Sequence, residues 1–103
     1  MVEKKSPLKW KFNIKDTIYS PIISKGIIYV GSSTGYLYAI EITTGEIKWK
    51  YDSYGKIYYS PAICNEIVYF GSDNNLIALD VNNQKSKWQY RRNNLSYKFK
   101  SRR

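Results

Sequence analysis

The side chains that most often carry enzyme chemistry are few and scattered in this sequence. It contains no histidine, so the commonest general base and metal ligand is missing. A single cysteine, Cys64, cannot make an internal disulfide or furnish a zinc site of the usual types. Its place in the apolar run Pro61-Ala62-Ile63-Cys64 predicts a small buried hydrophobe. The acids Asp16, Glu41, Glu46, Asp52, Glu66, Asp73 and Asp80 fall mainly in turns and at strand ends, which gives them surface or turn roles. No catalytic residue, nucleophile, cofactor-binding residue or metal ligand is assigned, and the chain is read as non-catalytic.

The residues that recur at fixed spacing are aromatic. Trp10, Trp49 and Trp88 stand 39 residues apart, and each is followed two positions later by another ring, Phe12, Tyr51 or Tyr90. One tryptophan per unit is what packing between repeated units requires; a stacking platform for a quinone or a base is the competing use of the same rings. The same offset, within one residue, carries Ile18-Tyr19-Ser20-Pro21 onto Tyr58-Tyr59-Ser60-Pro61 and Ile28-Tyr29-Val30-Gly31-Ser32 onto Val68-Tyr69-Phe70-Gly71-Ser72. It then carries Leu37-Tyr38-Ala39-Ile40-Glu41 onto Leu76-Ile77-Ala78-Leu79-Asp80.

The elements that must position these residues are short strands. Turn signals at Lys25-Gly26, Ser33-Thr34-Gly35, Thr43-Thr44-Gly45, Asp73-Asn74-Asn75 and Asn82-Asn83-Gln84 divide each unit into four. Strands are predicted over 17–24, 27–32, 36–42 and 46–51, then over 57–64, 67–72, 75–81 and 86–91, with an opening strand from Leu8 to Asn13. Nothing reads as a helix. Ser20-Pro21 and Ser60-Pro61 recur with the unit and belong to the fold, since proline is tolerated at a strand start or on an edge.

Strands such as Gly26-Ile27-Ile28-Tyr29-Val30 are nearly continuous in apolar character, the pattern of a sheet covered on both faces. A four-stranded unit of this kind cannot cover itself. Radial stacking of such sheets, as in a β-propeller, satisfies both faces, and two units leave two apolar faces bare. The expected fold is all-β: propeller blades, each a four-stranded antiparallel sheet, in an incomplete ring. The organisation is an N-terminal segment with a closing strand over 1–13, repeats over 14–51 and 52–91, and a basic tail over 92–103.

At this point the motif resembles that of the PQQ-like (pyrroloquinoline-quinone-like) repeat family. Ala39-Ile40-Glu41-Ile42-Thr43-Thr44-Gly45-Glu46-Ile47-Lys48-Trp49 is similar to the family's docking motif, Ala-x-Asp-x-x-Thr-Gly-x-x-x-Trp, with Glu in place of Asp. The second copy keeps Ala78, Asp80 and Trp88 but has Asn83 and Gln84 where Thr and Gly belong. The resemblance implies that Trp10, Trp49 and Trp88 pack against neighbouring blades, that Ala39 and Ala78 give them room, and that Gly45 shapes the turn between the last two strands. It also implies work outside the cytoplasm. The family holds quinoprotein dehydrogenases as well as non-catalytic scaffolds, and fold does not choose between them. A PQQ site of the dehydrogenase kind needs a carboxylate cluster for calcium, cationic partners and often a Cys-Cys pair, which these residues do not assemble.

The charge is confined to the ends. The net charge is +9, of which residues 1–12 carry +3 and residues 88–103 carry +6, leaving the repeats neutral. The tail from Arg91 to Arg103 departs from the repeat and interleaves basic residues with Leu95, Tyr97 and Phe99. Such a stretch is able to bind phosphate backbones or an anionic membrane, but a solvated tail is the preferred reading and neither partner is expected. The N-terminal sequence is charged and then alternating, unlike a signal peptide, and no run reaches the 18 apolar residues of a membrane span. The expected role is a protein-interaction scaffold without cofactor, whose partner is another protein, further blades or copies of itself. The alternative is a detached part of a PQQ-dependent dehydrogenase.

Overall fold

The computed structural model describes residues 9–14 and 16–91. Strands β1 (Ile22–Ser24), β2 (Ile27–Gly31), β3 (Tyr36–Glu41) and β4 (Ile47–Asp52) form one antiparallel sheet in sequence order. β5 (Ala62–Cys64), β6 (Ile67–Ser72), β7 (Asn75–Asp80) and β8 (Ser86–Arg91) form a second in the same way. Among the described residues there is no helix, so the molecule is all-β, with two meandering four-stranded blades.

Local chemistry accounts for the hairpins. Lys25 and Gly26, at φ 50° and 78°, form the two-residue turn between β1 and β2, and Asn65 and Glu66, at φ 50° and 65°, form its counterpart between β5 and β6. Positive φ at both central residues matches the twist of the flanking strands. The register shifts between Ala39 and Ile40 in one blade and between Ala78 and Leu79 in the other, so a bulge is part of the repeat.

The first strand of each blade is shorter than the sequence suggests. Regular pairing begins only after Pro21 and Pro61, which have no N–H to give to a ladder; ahead of Pro21, Ile18 makes an isolated bridge to Ser32. The opening strand anticipated over Leu8 to Asn13 is also absent: residues 9–13 lie outside any strand and Leu8 lies outside the described residues. That segment carries the Trp-x-aromatic signature of a fourth strand, but the three strands that would flank it are not among those of the two blades. Cys64 is a further correction. It is exposed, because β5 is a three-residue edge strand and Cys64 pairs with Ile67 at its very end, beside the turn. The tail over 92–103 lies outside the described residues.

The blades stack face to face. Leu37 on β3 joins Ile57, Val68, Phe70, Ile77 and Leu79 in one core cluster, against which Trp49, Tyr51 and Val81 pack. Contacts between β1 and β5 join the blades along their first strands. Burial of apolar side chains between sheets is the main favourable term here.

Candidate functional site

With a recurring tryptophan on each fourth strand, the seams between units are the places where sequence signals converge. At the first seam, the Trp10 indole N–H donates a 2.8 Å hydrogen bond to the carbonyl of Ile42. Its ring lies flat against Gly45, so closely that a Cβ at that position would stand 2.5 Å from the indole. Gly45 has φ 78°, so glycine is required here by both the backbone and the approach of the ring. Phe12 meets Tyr38 edge-on with ring centroids 6.0 Å apart. The turn, closed by Gly45 N–H to the Glu41 carbonyl at 2.8 Å, presents the Ile42 carbonyl to the incoming tryptophan.

At the second seam, Trp49 stands opposite Ala39 in the β3–β4 register, and its ring meets Tyr29 at 6.0 Å. Ala39 is fully buried beneath this row, which explains its small side chain. The receiving turn in blade 2 differs. Gln84 occupies the position of Gly45 at φ 58°, and its own Nε2 donates to the Val81 carbonyl at 2.8 Å. Val81 is the counterpart of Ile42, so the second blade caps internally the acceptor that Trp10 reaches in the first. Among the described residues the Trp49 indole N–H has no hydrogen-bond partner. A groove of about 360 Å³ opens beside it, bordered by Tyr29, Trp49, Glu66 and Asn82.

Residues outside the tryptophan motif also join the blades. Gly31 leaves room for Ile57, whose Cγ2 would lie 2.4 Å from an added Cβ. Gly35, at φ 106°, lets the carbonyl of Gly55 approach so closely that a Cβ there would stand 2.8 Å from the oxygen. The Ser53 hydroxyl lies 2.7 Å from that of buried Ser72 and donates to the Gly35 carbonyl at 2.8 Å. The recurring Gly-Ser blocks were the signal for Gly31 and Ser72, but their sequence alone does not say that they face a neighbour.

Electrostatics adds one link across the seam. Lys25 of blade 1 reaches Glu66 of blade 2 at 3.3 Å, and Asn82 Nδ2 donates to the same carboxylate at 2.7 Å. Those hydrogen bonds, that of Asn82 first, hold the Glu66 carboxyl below its ordinary range. Burial, seconded by Glu66, pushes the Tyr29 phenol above its ordinary range. The other acids serve local structure: Asp52 and Asp80 accept from the backbone N–H of Tyr54 and Asn82, two residues on, and Asp16 accepts from Thr34. Among the described residues no cluster of three or more metal-donor side chains forms. The carboxylates of Asp16, Glu41, Asp52, Glu66, Asp73 and Asp80 are engaged in turns and pairs, and the described residues do not fit a calcium-held quinone.

Trp88 repeats the geometry of Trp49, opposite Ala78 and 6.1 Å from Tyr69. Beside it lies a shallow hollow bordered by Ile67, Tyr69, Lys87 and Trp88.

Two consecutive blades that meet through a tryptophan row define a segment of a PQQ-like β-propeller. The chain belongs to the family whose model is described as outer membrane protein assembly factor BamB, which matches residues 6–102. Among solved structures it is similar to BamB from Moraxella catarrhalis, with 23% identity and a TM-score of 0.72 over 81% of this chain and 27% of that one. It is also similar to the quinohemoprotein alcohol dehydrogenase ADHIIG from Pseudomonas putida HK5, with 22% identity and a TM-score of 0.70 over 81% of this chain and 14% of that one. The computationally designed Ika4 protein shares 18% identity at a TM-score of 0.64, over 72% of this chain and 47% of that one. These likenesses show the fold. The chain spans 27% of the BamB structure and 14% of the dehydrogenase. No curated protein matches the sequence. Among the described residues no helix is long and apolar enough to cross a membrane.

Proposed function

We propose that this chain is a non-catalytic propeller segment that acts as a protein-interaction scaffold, with Trp10, Trp49, Trp88, Ala39, Ala78 and Gly45 as its blade-docking residues. The observation that carries the reading is a contrast between equivalent positions. Leu37 is fully buried under blade 2, whereas Leu76, its counterpart 39 residues on, is 42% exposed opposite Tyr90. A face built for burial and left open is an interaction surface. Membership in a family described by an assembly factor of the outer membrane supports a protein partner and a place in the cell envelope.

Replacement of Leu76 by a photo-crosslinking amino acid tests this in cells that make the chain. Protein adducts are expected from position 76, and none from the same probe at Tyr54, which is exposed in the connection between β4 and β5. Absence of protein adducts at 76 counts against the scaffold. Dye reduction that requires added PQQ and calcium would replace it with the enzyme reading.

A further inference from the structure

We propose that the open face of blade 2 is covered by blade 1 of a second copy, docked head to tail, and that the Trp10 segment of that second copy is displaced. The proposal rests on the scaffold reading and names its partner.

The two ends of the chain carry the two halves of one joint. β8 presents Trp88-Gln89-Tyr90, the counterpart of Trp10-Lys11-Phe12. Blade 1 already holds such a segment, outside any strand, with the Trp10 indole on Gly45 and bonded to the Ile42 carbonyl. The blade 1 turn is therefore a working receiver for a tryptophan of this type, without the glutamine that caps the blade 2 turn.

A second pair of features matches independently. Between the blades, Ile57 fills the notch at Gly31 and is fully buried. The notch recurs at Gly71, where an added Cβ would meet nothing nearer than 3.9 Å. The wedge recurs at Ile18: Ser33 N–H bonds the Thr17 carbonyl as Asp73 N–H bonds the Lys56 carbonyl, each just ahead of the isoleucine. Ile18 is 47% exposed. A second copy related by the step between blades would place its Ile18 in the Gly71 notch and its Gly45 turn under Trp88. That contact is heterologous, so it continues until a ring closes; rings of about four to eight blades correspond to about two to four copies.

Light scattering on the full chain, with circular dichroism on every variant, tests the joint. The wild-type chain is expected at a small multiple of the chain mass, and Leu76→Glu and Ile18→Glu are each expected at one chain mass. Both side chains are exposed, so the fold survives; Gly71→Leu, which fills the notch, is the second variant on the blade 2 face and is expected to act like Leu76→Glu. Mixing Leu76→Glu with Ile18→Glu is expected to restore a dimer, because each variant keeps one sound end. Trp10→Ala is expected to tighten association roughly fivefold, the weight of about one hydrogen bond removed from the competing segment. A folded wild-type monomer at about 100 μM, a mixture that stays at one chain mass, or a Trp10→Ala chain that associates no better overturns the proposal. If position 76 crosslinks to a different protein while the chain remains monomeric, this inference fails and the scaffold reading stands.

Discussion

The turn after β3 and the turn after β7 occupy the same place in the repeat and receive a tryptophan in different ways. In blade 1, Gly45 lies beneath the Trp10 ring and the Ile42 carbonyl is left for the indole N–H. In blade 2, Gln84 folds back on the Val81 carbonyl, and among the described residues Trp49 packs without a hydrogen bond of its indole. The first joint is specified by polar geometry as well as by area. The second depends on apolar burial, on Ile57 in the Gly31 notch and on the serine links at Ser53 and Ser72. A repeat therefore keeps its contact when one signature residue is lost, provided that the remaining contacts carry the interface.

Substitutions at paired positions separate the two joints. The largest effect is expected from Leu37→Ala, which opens a cavity in the core between blades and costs about 2 to 5 kcal/mol. Leu76→Ala, at the same repeat position, is expected to cost less than about 0.5 kcal/mol in the monomer; urea midpoints of the two variants give the comparison directly. Next comes Gly45→Ala, which places a Cβ against the Trp10 ring at positive φ and is expected to cost about 2 kcal/mol, with a rise in Trp10 fluorescence accessibility to quencher.

The tryptophans themselves discriminate more finely. Trp10→Phe loses a hydrogen bond and is expected to cost about 1 kcal/mol more than the packing change alone, whereas Trp49→Phe carries no such penalty. Gln84→Gly is expected to raise stability by up to about 1 kcal/mol by removing a non-glycine residue from positive φ. It also frees the Val81 carbonyl, so the Trp49 indole proton should gain protection from exchange and shift in an NMR spectrum.

The smallest effect concerns pH. Glu66 has its folded-state pKa lowered by Asn82 and Lys25, so its contribution is whole above the ordinary carboxylate range and is lost as pH falls from that range through the lowered folded-state value. A shallow loss of stability in acid is expected for the wild type and should vanish in Glu66→Gln. Exposure and screening keep it below the other effects.

Much of the architecture was legible because repetition averages out local ambiguity. The expected spans 67–72 and 86–91 coincide with β6 and β8, and the remaining strands differ mainly at their ends. β1 and β5 are the exceptions, since the apolar runs before Pro21 and Pro61 read as strand although proline withholds the ladder's donor. Cys64 was misplaced for a related reason: an apolar neighbourhood in sequence does not reveal that β5 is an edge strand ending at that residue. At the docking turns, the departure of Gln84 from glycine was visible, but not that its amide reaches the carbonyl used by Trp10 in the first blade.

The sequence by itself determined the repeat, the four strands of each unit, the turns and the tryptophan spacing, because these follow from local backbone preference and from side-chain periodicity. Tertiary structure alone decided which equivalent residues are covered. Leu37 and Leu76 have the same local pattern, Ile57 and Ile18 each follow a carbonyl that accepts from the turn after the second strand, and the opposite burial within each pair depends on whether a blade stands opposite. The same holds for Gly31 and Gly71, since a missing Cβ becomes a notch only when a neighbour brings the side chain that fills it.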